Sequence, residues 1–129
     1  MSRKLGYAGA VLAGLSVAAG AFGAHSLKGI ISVDMLVVFE TAARYQMYHA
    51  LALLVVSGML KQVPERGLRV AGGCFIAGIV LFSGSLYVVA LTSTRWVGAI
   101  TPLGGVAFLA GWITLAWNLW QKKGGGEER

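Results

Sequence analysis

The stretch VAGGCFIAGIVLFSGSLYVVAL, Val70 to Leu91, runs for 22 residues without a charge. A bilayer's hydrocarbon core of about 30 Å takes roughly 20 apolar residues in helical form to cross. The stretch therefore reads as a membrane-spanning helix. Leu5 to Ala24 (20 residues) and Trp96 to Trp120 (25 residues) read the same way. Tyr45 to Leu60 has 16 uncharged residues, and the apolar-rich run from Val33 extends it outward. Thr101 and Pro102 suit an N-cap and a first-turn proline, so the last span starts there and 96–100 lies in the interface.

Composition agrees. Of 129 residues, 57% are hydrophobic and 12% charged, against about 45–50% and about 25% in a soluble domain. A soluble globular enzyme, a disordered chain and a collagen-like fibre are excluded. Cys74 is the single cysteine, which excludes a disulfide framework and a Cys-rich zinc site. The length suits one domain, 1–129.

The net charge of +6 gains meaning from where the charges lie. Arg3 and Lys4 precede the first span. Lys61, Arg66 and Arg69 lie between the second and third, and Lys122, Lys123 and Arg129 follow the fourth. These eight basic residues face three in the other connections, Lys28, Arg44 and Arg95. The bias places both termini in the cytoplasm and argues against a nucleic-acid partner. Tyr7, Trp117 and Trp120 then mark one interface and Tyr87 and Trp96 the other, while Trp112, mid-helix, fills the bundle. Ser2-Arg3-Lys4, the apolar run and Ala21-Phe22-Gly23 also resemble a signal peptide. The run is long and glycine-rich for one, so a retained span is expected.

The expected fold is all-α: a polytopic membrane protein with four transmembrane helices in a compact bundle. The spans fall over about 5–24, 45–60, 70–91 and 101–120, with a flexible tail at 122–129. Ser32 as cap, Asp34 near the helix start and Met35, Val38, Phe39 and Ala42 on one face predict an outer interfacial helix over about 33–44. Small residues repeat at spacing four in Gly6, Ala10, Gly14 and Ala18, and Gly20 belongs to a second such stripe. Gly73 with Ala77, Gly78 and Gly111 continue the pattern. Such stripes let helix backbones approach closely, within the bundle or between copies in a homo-oligomer.

Few polar residues enter the spans, so those that do stand out. His49 lies eleven residues above Leu60, about 16 Å at helical rise. Arg44, Tyr45 and Tyr48 lie close above it. Ser83, Ser85 and Tyr87 on the third span, Thr101 on the fourth and His25 at the end of the first reach a similar level. Ionisable groups inside a membrane face the bundle interior and often mark a pathway or ligand site. His49 hydrogen-bonded to Ser83, Tyr45 or a backbone carbonyl, tying helices together, is the structural alternative. His25 and His49 differ in depth by several ångström with no other haem cue, and two histidines without a third ligand are a poor metal signal; no cofactor is called for, and no catalytic constellation is legible.

The strings AFGAHSLK (Ala21 to Lys28), TAARYQMYHALALL (Thr41 to Leu54), LFSGSLYVVAL (Leu81 to Leu91) and ITPLGGVAFLAGW (Ile100 to Trp112) occur in this order. Together they resemble the YgdD-like family of small bacterial inner-membrane proteins, a domain-of-unknown-function family. The resemblance spans about Leu5 to Trp120. Its signature positions here are His25, Tyr45, Gln46, Tyr48, His49, Ser83, Gly84, Ser85, Tyr87, Thr101 and Pro102. It implies a four-pass protein of the bacterial cytoplasmic membrane and carries over no activity, substrate or catalytic residue. The function expected is therefore that of a structural, accessory or interaction subunit. Its partners are membrane lipid, further copies or other membrane proteins. The alternative is a small oligomeric transporter, channel or ligand-binding protein using the layer around His49.

Overall fold

A computed structural model of the chain describes residues 2–62 and 65–126. Four long helical segments follow one another. We label them α1 (Ser2–Leu27), α2 (Val33–Gln62), α3 (Arg66–Thr92) and α4 (Thr101–Gly126). A 3₁₀ turn, Arg95–Ala99, leads into α4. The reversal between α1 and α2 uses Gly29 at φ +88°, a conformation that glycine adopts without a Cβ penalty.

Side-chain pairs give the helix directions. Gly6 lies against Ser57, Gly9 against Ala50 and Gly23 against Phe39, so α1 and α2 are antiparallel. Ser83 meets the Ala42 carbonyl and Phe75 meets His49, so α2 and α3 are antiparallel. Gly67 meets Asn118, Gly78 meets Phe108 and Gly104 meets Phe82, which makes α3 and α4 antiparallel too. Tyr45 and His49 pack on Phe108 and Trp112, so α2 and α4 run side by side in the same direction. The result is an up-down-up-down bundle.

Three helices are long and apolar enough to cross a membrane: Ser2–Leu27, Arg66–Thr92 and Arg95–Gln121. Among the described residues α2 does not join them, although it is 30 residues long. The cause is its polar cluster Tyr45, Gln46, Tyr48 and His49, two members of which are turned into the bundle. The segments expected as an outer helix over 33–44 and a span over 45–60 join without a break. One unbroken helix covers both, because the backbone ladder has no Pro or Gly to interrupt it before Gly58. The helix is capped as its sequence predicts, with Ser32 Oγ accepting from the Met35 N–H at 3.2 Å. Of the tail expected over 122–129, the backbone of 122–126 continues α4, and 127–129 lie outside the described residues.

The core has two apolar parts. One contains Leu5, Leu53, Val56, Leu68, Phe75, Phe108 and Leu115. The smaller one, at the α1–α2 connection, contains Leu27, Phe39 and Ala90. Along α2 the order is Phe39, then Ala42 to His49, then Leu53 and Val56. Along α3 it is Phe75, then Ser83 to Tyr87, then Ala90. A polar layer therefore lies between two apolar ones, on both helices at matching height.

Several expected packing glycines act inside the chain. A methyl group at Gly6 would sit 2.7 Å from Ser57 Oγ, and those at Gly78 and Gly111 would overlap Phe108 and Phe75. Others do not. Gly14, Gly20 and Gly73 have nothing within 4 Å of such a methyl, and Ala10, Ala18 and Ala77 are exposed. Spacing four follows one stripe down a helix, but it does not say which stripe meets a neighbour. At Gly104 the backbone of α3 itself is in the way, since a Cβ there would come 2.7 Å from Phe82 Cα.

Candidate functional site

Within the layer, each buried polar side chain is tied to a different helix or to its own backbone. Ser83, 1% exposed, donates to the Ala42 carbonyl at 2.8 Å. A π-helical turn over Ile79–Ser83 sits at this point of α3. Such turns advance the helix phase by one residue and occur frequently at functional sites. Here the turn aims Ser83 at α2 while Phe82 lies against Gly104 of α4.

Gln46 links three helices. Its Oε1 accepts from the Tyr87 hydroxyl at 2.7 Å, and its Nε2 donates to the Leu12 carbonyl at 2.9 Å. Ser16 donates to the same carbonyl at 2.8 Å. Ser85 donates to the Phe82 carbonyl and lies within 2.5 Å of Thr101 Oγ1. A serine hydroxyl has one proton, so Thr101 is the donor of that pair. Among the described residues no buried side-chain N or O lacks a partner. Buried polar groups left unpaired are costly, and this layer leaves none.

His49 is 4% exposed. Its Nδ1 lies 2.7 Å from the Tyr45 carbonyl, and its Nε2 lies 3.0 Å from the indole Nε1 of Trp112. A carbonyl only accepts and an indole N–H only donates. The ring is therefore the neutral Nδ1–H tautomer with both nitrogens engaged. Phe108 lies parallel to it, with centroids 3.5 Å apart and planes at 10°.

Beside His49 the surface between α2 and α4 is indented. This lateral groove of about 640 Å³ is walled by Tyr45, Tyr48, Phe82, Phe108, Leu109 and Trp112, with His49 at its floor. Tyr45 and Tyr48 are 38% and 52% exposed, and Trp112 is 44% exposed. The groove opens sideways, toward whatever surrounds the bundle.

Of the sequence candidates, Ser83, Ser85, Tyr87, Thr101 and His49 come together in the buried layer. Tyr45 and Tyr48 line the groove. Arg44 is exposed above them, and His25 is exposed at the end of α1, away from the network. Three participants lie outside the candidate set: Ser16, Gln46 and Trp112. Gln46 entered the sequence reading only through the resemblance, although a glutamine inside an apolar run is itself a signal. Trp112 looked like filler because an indole reveals its hydrogen bond only once a partner is in place.

These features together define a small, all-helical membrane protein. The family described as "Protein of unknown function (DUF423)" matches residues 19–105. A UPF0382 membrane protein of Staphylococcus aureus is 50% identical over 107 residues, covering 83% of this chain and 87% of that protein. UPF0382 membrane protein YwdK of Bacillus subtilis is 50% identical over 108 residues, 83% of this chain and 88% of its own. A third relative, from Staphylococcus haemolyticus, is 47% identical over 107 residues, with coverage of 83% and 87%. The chain belongs to this DUF423, or UPF0382, membrane protein family, whose function is unknown. No solved structure matches it. The matched stretch holds Gln46, His49, Ser83, Ser85, Tyr87 and Thr101, while Leu12, Ser16, Phe108 and Trp112 lie outside it.

Proposed function

We propose that the protein is a four-pass structural or accessory subunit of the bacterial cytoplasmic membrane, of the YgdD-like kind, that acts through its lateral surface. A 30-residue helix such as α2 is about 45 Å long, ample to span even with its polar cluster, since that cluster is satisfied inside the bundle. The basic residues put both termini and the α2–α3 connection in the cytoplasm. The observation that carries the reading is the closed polar layer. Its hydroxyls, amide and imidazole bind one another and backbone carbonyls, so it braces helices and offers no free groups along a path through the bundle.

Reporter fusions at Arg66 and at the C-terminus both read cytoplasmic on this proposal, and a periplasmic signal from either overturns the threading. For the bracing role, His49→Gln in proteoliposomes keeps the fold and leaves solute and proton fluxes unchanged. Lost flux in a folded His49→Gln protein would instead support the second reading, a small transporter, channel or ligand-binding protein. The groove over His49 favours the ligand-binding form of that reading, because its aromatic walls open to the lipid side.

A further inference from the structure

Glu40, Arg44 and Tyr48 stand at i, i+4 and i+8 on α2, which places them on one stripe of the helix. All three are exposed. They border a second cleft of about 450 Å³, between α1 and α2, completed by Ser16, Gly20, Ala43 and Met47. Gly20 keeps this cleft open because nothing fills the space beside its Cα. Tyr48 lines both this cleft and the aromatic groove on the other flank of α2. Tyr48 therefore separates the apolar groove from a cleft whose lining mixes Gly20, Ala43 and Met47 with Ser16, Glu40 and Arg44.

The heights fit a membrane lipid. At helical rise, Arg44 lies about 24 Å and Glu40 about 30 Å along α2 from Leu60, across a hydrocarbon core of about 30 Å. Glu40 thus falls at head-group level in the leaflet that holds the α1–α2 connection, whichever side of the membrane that is, and Arg44 lies about 6 Å below it, near enough for its long side chain to reach up to a phosphate. Arginine binds phosphate oxygens through its planar fork of N–H donors. Glu40, one turn further out, disfavours a purely anionic head and pairs with an ammonium.

We infer that Glu40, Arg44 and Tyr48 form a site for one phospholipid whose head group carries an amine beside its phosphate, with its two acyl chains in the clefts on either side of Tyr48. The phosphate lies against Arg44 and the amine against Glu40. This inference uses the ligand-binding form of the second reading but is independent of the orientation of the termini, which the reporter fusions test separately.

Native mass spectrometry of the full chain, offered equimolar phosphatidylethanolamine and phosphatidylglycerol with identical acyl chains, tests it. The wild type retains phosphatidylethanolamine in preference by about tenfold, the size of one charge-assisted contact. Glu40→Gln loses that preference while still retaining lipid through Arg44. Arg44→Gln loses both adducts, and Tyr48→Ala weakens both alike. Lys28→Gln, a charge at the same end but outside both clefts, changes neither. Helix content by circular dichroism establishes that each variant is folded. Equal retention of the two lipids by the wild type overturns the site, as does an unchanged preference in Glu40→Gln. So does a dimer that Arg44→Gln dissociates, because a second copy would then occupy the stripe.

Discussion

Two faces of α2, within a single turn, treat polar residues in opposite ways. Gln46 is 6% exposed and spends its amide on α1 and α3. Tyr45 and Tyr48, on either side of it in sequence, are turned outward and wall a groove. The helical period of 3.6 separates them: the face that carries Ala42, Gln46, Ala50 and Leu53 is enclosed by other helices, and the flank that carries Tyr45 and Tyr48 is not. Polarity inside the bundle is thus a matter of pairing, and outside it a matter of surface chemistry. The enclosed face ties the helices together, and the open flank leaves its side chains exposed.

Substitutions break or sharpen this contrast. The largest effect belongs to Gly104→Ala, whose methyl would press on the Phe82 backbone. We expect a loss of about 1–3 kcal/mol in unfolding free energy, as for overpacking elsewhere, measured by denaturant titration in micelles. Next comes Gln46→Leu, which leaves the Tyr87 hydroxyl without its acceptor and costs about 1–2 kcal/mol. Adding Tyr87→Phe removes the stranded group, so the double variant recovers much of that loss. A double variant no better than the single one would mean that the layer is not the brace described here.

On the open flank the effects shrink. Trp112→Phe removes the donor to His49 Nε2 from a half-exposed ring and costs about 0.6 kcal/mol, typical of an interhelical hydrogen bond in a membrane protein. If Trp112→Phe proves costlier than Gln46→Leu, the groove rather than the buried layer carries the stability and the contrast fails. The smallest effect is expected for Gly73→Ala, which points away from every helix of the chain and changes monomer stability by no more than about 0.5 kcal/mol. A clear loss there that depends on protein concentration would place Gly73 in an interface between copies.

Much of this was legible along the chain. The uncharged stretch from Val70 to Leu91 falls within α3, and depth arithmetic alone grouped Ser83, Ser85, Thr101 and His49 at one height. The arithmetic works because rise per residue is the same in every helix. It has no information about azimuth between helices, so it grouped exposed His25 and Arg44 with buried Ser83. For the same reason spacing alone cannot separate Gly6, which meets Ser57, from Gly14 and Gly73, which meet nothing within the chain, and it passes over Gly104. The run from Val33 already extends the second span outward in the sequence, but the partners of the polar residues near its middle, on α1, α3 and α4, are seen only in the fold.

The sequence by itself determined that the chain is helical and suited to a membrane, because a scarcity of charge and long apolar runs are local properties of composition and length. It also determined the height of each polar group. Only the tertiary structure decided which of them face inward and what they bind. That choice rests on helix rotation and packing, through Gly6 on Ser57, Gly78 on Phe108 and Gly104 on Phe82. Those contacts turn Gln46 and Ser83 into braces and leave Tyr45 and Tyr48 on the open flank, since a helix packed on one side must present its other side to its surroundings.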